Sequence, residues 1–163
     1  MTSTQEEIDL SYSVSNEFFE LWLDKNMHYT SAAWDRDDMT LEEAQENKLR
    51  VLYDFAELDE TKTVLDIGCG WGSAIECISR YGIKEAHGIT LSTEQVAYCR
   101  DRGIENAKFW LQDYAKFEPP AKYDGLVSIE MIDHLCSPAQ ARQGMAVQLY
   151  REYFNKLAEW VEP

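Results

Sequence analysis

The chain has 163 residues, of which 45% are hydrophobic, and this is enough for one domain with a substantial core. Thirty acidic residues stand against fifteen basic ones, so the formal net charge is -15, which argues against nucleic acid or an anionic membrane surface as a direct partner. The four cysteines form no C-x-x-C pair, so reduced thiols are expected, with neither disulfides nor a metal site. No apolar run has the length of a membrane span and the first residues lack a secretion signal, so the sequence predicts a cytoplasmic protein without a membrane span.

Residues 1–61 are predicted to form a helical segment that caps the rest of the chain. Residues 1–11 are polar and are expected to fray, and a short aromatic helix is expected at 18–23. The segment 26–34 is too apolar for a simple connector, and is expected either to line a pocket or to pack on the domain. Thr40 begins a capping box, which predicts an amphipathic helix packed on a sheet. Its predicted buried stripe consists of Leu41, Ala44, Lys48, Val51, Leu52 and Phe55.

Residues 62–163 alternate between strand and helix patterns, which predicts an α/β domain with a parallel sheet and helices on both faces. The predicted strands lie at 63–67, 85–90, 107–111 and 125–129, and the predicted helices at 73–80, 92–102 and 137–161. A sheet that ends at the fourth strand leaves an exposed edge with uncovered apolar side chains. We therefore expect C-terminal strands to be missing here, either because the sequence is a piece of a longer protein or because a second chain completes the sheet.

The glycine-rich turn after the first predicted strand is the strongest functional signal. Gly68, Gly70 and Gly72 follow Asp66 at alternate positions, and a predicted helix begins directly after them. Glycines allow a sharp turn and a close approach of ligand, and the free N–H groups of the first helical turn are available to that ligand. The spacing D-x-G-x-G-x-G differs from the dinucleotide fingerprint and resembles motif I of the S-adenosylmethionine (SAM) methyltransferases. A tight turn with only a structural role is the alternative.

Five segments extend this resemblance over residues 12–135. They lie at 12–19, 26–32, 38–45, 68–72 and 88–95, and in this order they resemble the cyclopropane-fatty-acid synthase family, which includes the mycolic-acid cyclopropane synthases and methyltransferases. The resemblance implies a Rossmann-like, class I SAM methyltransferase fold. It also implies SAM as cofactor and transfer of a methyl or methylene group to carbon of a lipid, polyketide or isoprenoid acceptor.

The resemblance also implies which residues hold SAM, across the carboxyl ends of the strands. The N-terminal segment would close over the cofactor, the glycine turn would lie under its methionyl part, the end of the second strand would hold the ribose, and the loop after the third strand would meet the adenine. The implied residues are Tyr29 and Thr30; Asp66, Gly68, Gly70 and Gly72; Thr90, Leu91 and Gln95; and Gln112 and Asp113. For the last two, a solvated loop is the alternative.

Candidate catalytic residues follow the fourth predicted strand. Where the family has a cysteine and a glutamate before histidine, this chain has Ser31 and Asp133-His134. In cyclopropane synthases those positions help to hold bicarbonate, and the shorter aspartate argues against a bicarbonate site of the same geometry. Glu130, Asp133 and His134 could instead act as a general base or stabilise a developing cation.

Two alternative functions stay open. The segment 128–134, with the sequence SIEMIDH, also resembles plant coclaurine-type N-methyltransferases, which implies a small amine as acceptor. The second alternative is a non-catalytic SAM-binding subunit completed by a partner chain. A homo-oligomer, or a partner chain that completes the sheet, stays open as the assembly.

Overall fold

The computed structural model describes residues 5–12 and 14–162. Helices α1 (Gln5–Tyr12), α2 (Asn16–Glu20) and α3 (Leu41–Phe55) form the N-terminal region. The fraying expected for residues 1–4 lies outside the described residues, but for the rest of that segment the prediction was wrong. Helix α1 is held in place because the Asp9 carboxylate accepts hydrogen bonds from the backbone N–H and the hydroxyl of Thr93, at 3.1 and 3.2 Å.

The predicted parallel α/β sheet is confirmed. Its four strands are β1 (Thr63–Ile67), β2 (Glu85–Thr90), β3 (Ala107–Leu111) and β4 (Gly125–Val127), in the spatial order β3-β2-β1-β4. Helices α4 (Ser73–Arg80) and α5 (Thr93–Asp101) connect the first three strands, and α6 (Pro138–Arg142) and α7 (Ala146–Trp160) follow the fourth. This connectivity places the carboxyl ends of all four strands at one edge.

Alternating residues of β1 contribute to two hydrophobic cores, one on each face of the sheet. Val64 belongs to the core formed with α4 and α5, whereas Leu65 and Ile67 belong to the core formed with α7. Both cores consist of fully or nearly fully buried side chains. The helices therefore cover both faces, as the alternation of strand and helix patterns predicts.

The buried face of α3 differs from the predicted apolar stripe. Three residues of that stripe are exposed: Leu41, Val51 and Phe55. Two polar residues, Gln45 and Asn47, are buried instead, and their side-chain amides donate to the backbone carbonyls of Thr30 and Ala33 at 2.8 and 3.0 Å. The prediction was wrong because α3 packs partly against a main-chain segment, whose carbonyl groups need polar partners.

The end of the chain also differs from the prediction. The single helix expected at 137–161 is two helices, because Gly144 takes a left-handed conformation with φ of +77° between α6 and α7. Strand β4 ends at Val127, two residues earlier than predicted. Beside it, Tyr123 and Val161 form an isolated parallel bridge, supported by a hydrogen bond of 2.8 Å from Tyr123 N–H to the carbonyl of Trp160.

Candidate active site

The glycine-rich turn lies at the carboxyl end of β1. The backbone N–H groups of Gly68 and Cys69 both donate to the carbonyl of Ile89, at 2.9 and 3.0 Å, which ties the turn to β2. Gly68, Gly70 and Gly72 have φ values of +82°, +53° and +79°, in the left-handed region that favours glycine. Helix α4 begins directly after the turn, so the predicted sequence of strand, turn and helix is present.

The three glycines of the turn have different surroundings. A Cβ atom on Gly68 would lie 2.7 Å from Cγ of Met131, and one on Gly72 would lie 2.9 Å from Sγ of Cys99. A Cβ atom on Gly70 would meet only Nε2 of Gln95, at 4.0 Å. Gly72 is therefore required for packing within the protein, whereas Gly70 leaves room beside the turn.

A cavity of about 450 Å³ lies at the carboxyl ends of the strands. This is the edge at which parallel α/β sheets bind ligands. Thirteen of the fifteen residues singled out from the sequence line it: Tyr29, Thr30, Asp66, Gly68, Gly70, Thr90, Leu91, Gln95, Gln112, Asp113, Glu130, Asp133 and His134. Residues that are up to about a hundred positions apart in sequence therefore share one cavity.

Gly72 and Ser31 are the two remaining residues, and neither lines the cavity. Gly72 is buried at the start of α4. Ser31 is exposed, and its backbone N–H donates to Oε1 of Glu130 at 2.8 Å. Ser31 thus contacts a residue that lines the cavity through its backbone N–H, and not through its side chain.

Asp66 lies at the base of the cavity and is almost fully buried. Its Oδ1 atom has no hydrogen-bond partner in the described part of the chain. Burial raises the pKa of Asp66 to about 7, and the positive charge of Lys48 opposes this rise. A buried acceptor without a partner is costly, so this atom is suited to contact a polar ligand.

Lys48 on α3, which the sequence pattern assigned to an apolar stripe, lies beside the candidate site without lining the cavity. Its Nζ atom donates to the hydroxyl of Thr30 at 2.5 Å and to Oε1 of Gln45 at 2.6 Å. Burial lowers the pKa of Lys48, while the carboxylates of Glu130, Asp24 and Asp66 raise it in that order of size. Lys48 therefore supplies positive charge among the carboxylates of the site.

Asp24 and His28 form a buried pair beside the cavity that sequence reasoning missed. Nδ1 of His28 lies 2.9 Å from Oδ2 of Asp24, and the backbone N–H of His28 donates to Oδ1 at 2.7 Å. Burial by itself would raise the pKa of Asp24, but the hydrogen bonds from the His28 side chain and backbone bring it below its usual value. The sequence signal that could have indicated this pair is an aspartate four residues before a histidine, directly before Tyr29.

The opposite part of the cavity is built from the ends of β2 and β3. The hydroxyl of Thr90 donates to Oε1 of Gln95 at 2.8 Å, and the backbone N–H of Gln112 donates to the carbonyl of Thr90 at 2.9 Å. Asp113 is buried, and its Oδ1 atom accepts from the backbone N–H of Ala115 at 2.9 Å. Its Oδ2 atom has no partner among the residues that the structure describes.

The rim after β4 holds the candidate catalytic residues. Glu130 has a φ of +57° and is followed by a 3-10 helix, Met131–His134, so the chain turns sharply at this point. Nε2 of His134 lies 3.3 Å from the hydroxyl of Tyr12, at the end of α1. Asp133 is exposed and lines the cavity. The rim therefore presents two carboxylates and an imidazole to the space above the glycine turn.

Within residues 5–12 and 14–162, no helix is both long enough and apolar enough to cross a membrane. In the same part of the chain, no cluster of three or more His, Cys, Asp or Glu side chains is arranged to hold a metal ion.

The parallel sheet, the glycine turn after its first strand and the helices on both faces define the Rossmann-like fold of the class I SAM methyltransferases. The family model "Mycolic acid cyclopropane synthetase" matches residues 1–163, so the chain belongs to this family. The predicted family is thereby confirmed.

A curated relative from Mycobacterium tuberculosis, the "S-adenosylmethionine-dependent methyltransferase UmaA", is 47% identical over 130 residues, which are 76% of this chain and 44% of that protein. The chain spans about half the length of the curated relatives it matches.

Solved structures show the same fold. The mycolic acid cyclopropane synthase CmaA1, complexed with S-adenosylhomocysteine (SAH) and CTAB, has a TM-score of 0.84 and 27% identity, over 99% of this chain and 54% of that one. Coclaurine N-methyltransferase bound to N-methylheliamine and SAH has a TM-score of 0.79 at 22% identity, over 99% of this chain and 44% of that one, a likeness of fold alone.

Proposed function

We propose that this protein is a SAM-dependent methyltransferase of the cyclopropane-synthase type, which transfers a methyl or methylene group to carbon of a lipid-like acceptor. The observation that carries the proposal is the single cavity at the carboxyl ends of the strands, lined by thirteen of the residues expected to bind SAM or act on the acceptor. Family membership and the SAH bound to CmaA1 support the choice of cofactor.

The residues of the cavity fit SAM, which is polar at both ends. Two buried polar atoms have no hydrogen-bond partner among the described residues, and their residues line the parts of the cavity that the two ends would occupy: Oδ1 of Asp66 beside the glycine turn, and Oδ2 of Asp113 after β3. Asp113 would accept from the adenine amino group, and Thr90 with Gln95 would meet the ribose hydroxyls. Gly68 and Gly70 would keep the turn free of side chains next to the methionyl part.

SAM supplies an electrophilic methyl group, so the protein has to position the acceptor, exclude water and accommodate positive charge. Tyr12, Tyr29 and Trp71 line the cavity and pack edge to face, which gives it an apolar aromatic wall. The carboxylates of Glu130 and Asp133 would stabilise a developing cation or accept a proton from it. His134, which contacts Tyr12, would assist in holding this arrangement.

Bicarbonate stays a prediction drawn from the family resemblance. The hydroxyl-bearing side chain of Ser31 is exposed, and only its backbone N–H contacts a predicted catalytic residue. Added bicarbonate is expected to leave turnover unchanged if this chain lacks the site, and to increase turnover if Ser31 and Asp133 still form one.

An N-methyltransferase acting on a small amine is the second candidate. The observation that favours it is the pair of exposed carboxylates, Glu130 and Asp133, on the cavity rim, since carboxylates bind an ammonium group well. The two candidates differ in pH dependence: the rate with an amine acceptor rises as the amine loses its proton, whereas the rate with an alkene does not depend on such a step.

Two experiments test the proposal. Titration calorimetry with SAM and SAH measures cofactor binding, and failure to bind either one would remove the enzyme assignment for this chain. Mass spectrometry after incubation with methyl-labelled SAM, together with an unsaturated acyl lipid or a small amine, identifies the acceptor class. Binding without transfer to any acceptor would favour the non-catalytic subunit.

Location and assembly are further proposals. A cytoplasmic location is supported by the four free cysteines, three of which are buried. A homo-oligomer or a partner chain beside β4 is supported by the position of β4 at the edge of the sheet, where it pairs with β1 alone among the described strands. Size-exclusion chromatography with light scattering measures the assembly state, and a monomer at all concentrations would contradict this part.

A further inference from the structure

The Asp24–His28 pair is placed to do more than stabilise the loop that contains it. Only 4% of the His28 side chain and none of the Asp24 side chain is exposed. Asp24 accepts from both the ring and the backbone N–H of His28, so the imidazole ring is held in one orientation. Such a carboxylate–imidazole pair fixes a proton on Nδ1 and leaves the other ring nitrogen, Nε2, available for a different partner.

That other nitrogen, Nε2 of His28, is buried without a hydrogen-bond partner among the described residues, and its residue lines the cavity. A buried polar atom of this kind is costly unless a ligand or water satisfies it. Because His28 lines the cavity, a ligand bound there is available to contact this nitrogen.

The position of His28 is close to the start of α4. Its neighbour Met27 packs with Trp71 of the glycine turn, and the carbonyl of Asn26 accepts a hydrogen bond from the hydroxyl of Ser73, the first residue of α4. The eight-residue helix α4 presents its N-terminus here, and a helix N-terminus favours negative charge. An anion satisfies both features when Nε2 also carries a proton, because Nε2–H is then a hydrogen-bond donor.

We propose that His28, oriented by Asp24, binds the α-carboxylate at the methionyl end of SAM. This inference rests on the proposed function and adds to it a residue that binds the cofactor. This contact requires a hydrogen on each ring nitrogen: Nδ1–H donates to Asp24, and Nε2–H donates to the carboxylate. Asp24 balances the charge of the ring, and acts as a positioning residue.

The test compares three ligands by titration calorimetry: SAM, decarboxylated SAM, which lacks only the carboxylate, and 5′-methylthioadenosine, which lacks the whole amino-acid part. His28→Ala should weaken SAM binding roughly 10- to 100-fold, as expected for the loss of one hydrogen bond to a charged group. It should leave the affinities for decarboxylated SAM and 5′-methylthioadenosine nearly unchanged.

His87→Ala is the matched control. His87 is also a buried histidine beside a carboxylate, with Nε2 at 3.2 Å from Glu85, but it packs against Tyr123 and does not line the cavity. This variant should bind SAM as the wild-type protein does. Thermal melting of both variants measures the general cost of removing a buried imidazole.

Conservative variants separate the two ring nitrogens. A Gln amide places its nitrogen near the position of Nε2, whereas an Asn amide places it near Nδ1. His28→Gln should therefore retain more SAM affinity than His28→Asn. Asp24→Asn should lower the affinity for SAM but not for decarboxylated SAM.

Equal SAM affinity of wild-type protein and His28→Ala would overturn this inference while leaving the proposed function intact. An equal loss for SAM and decarboxylated SAM would also overturn it, because the contact would then be to the ammonium group or to the loop. Wild-type protein that binds none of the three ligands would overturn the proposed function itself, and this inference with it.

Discussion

Nζ of Lys48 and the hydroxyl of Thr30 are joined by a hydrogen bond of 2.5 Å, which links the buried face of α3 to the loop that lines the cavity. The carbonyl of the same threonine accepts from Gln45 at 2.8 Å, so both polar groups of Thr30 are held by one helix. Neither Gln45 nor Lys48 lines the cavity itself. Helix α3 thus positions Thr30, a candidate cofactor-binding residue, through side chains that do not line the cavity.

Lys48→Met is expected to weaken SAM binding about tenfold, the effect of losing one charged hydrogen bond. The substitution frees the hydroxyl of Thr30, and it also removes the positive charge that opposes the raised pKa of Asp66. Titration calorimetry with SAM measures the effect. The control is Lys25→Met, at an exposed lysine just before the same loop, which should leave the affinity unchanged. Equal affinities in the two variants would show that the hydrogen bond from Lys48 to Thr30 does not contribute to SAM binding.

Two glycines of the turn are expected to have different roles: Gly72 is needed for folding, and Gly70 is needed for SAM binding. Gly72→Ala should lower the free energy of unfolding by about 2 kcal/mol or more, because it combines a left-handed backbone with a 2.9 Å approach to Cys99. Gly70→Ala meets no close atom and should cost about 1 kcal/mol for its left-handed backbone, but it should lower SAM affinity strongly.

Gly103→Ala is the control for this comparison. Gly103 has a φ of +60°, close to the +53° of Gly70, and a Cβ atom there would meet nothing within 4 Å. Urea unfolding and calorimetry on the three variants separate backbone strain from packing and from binding. A Gly70→Ala variant that binds SAM like Gly103→Ala would contradict the placement of the cofactor at the turn.

The sheet and the turn could be predicted from the sequence because both follow from local pattern. The strand 63–67 is an apolar run, and the glycines that follow have φ values that other residues rarely take. The capping box at Thr40 and Glu43 is present as predicted. Helix α1 could not be predicted in this way, since its stability depends on a contact with Thr93, which is distant in sequence.

The site could be predicted only where a family pattern marks the residue. Asp66 near the end of β1 and Asp113 after β3 stood out, whereas Lys48 fitted an apolar stripe by spacing and was assigned to it. The role of a charged residue on such a stripe depends on its partners. Gln45 is a neighbour on the same helix, but Thr30 and the nearby carboxylates are brought to Lys48 by tertiary structure. Asp24 and His28 were missed for the same reason.

Asp113→Asn is expected to weaken SAM and 5′-methylthioadenosine binding by a similar factor, roughly tenfold. Its Oδ2 atom, which has no partner among the described residues, is the proposed acceptor for the adenine amino group, which both ligands carry. The amide can still accept from the backbone N–H of Ala115, so the loop should keep its structure. Calorimetry with both ligands is the measurement, and a loss confined to SAM would place Asp113 at the methionyl end instead.

Asp66 is expected to make the protein less stable as the pH rises from about 4 to 7. Its pKa is raised from the usual aspartate value of 3.8 to about 7 in the folded protein, mainly because of burial. Between these values the unfolded chain has lost the proton that the folded chain retains, so the free energy of unfolding falls as the pH increases and becomes level above about 7. The full effect of this one group is on the order of 4 kcal/mol.

The prediction is tested by urea unfolding of wild-type protein and Asp66→Asn between pH 4 and 8. Asn carries no titrating proton, so the stability of the variant relative to the wild-type protein should increase steadily over this range. Asp37→Asn, at an exposed aspartate, should run parallel to the wild-type protein. A constant difference between Asp66→Asn and wild type would mean that Asp66 is already ionised at low pH, with Lys48 compensating for its burial.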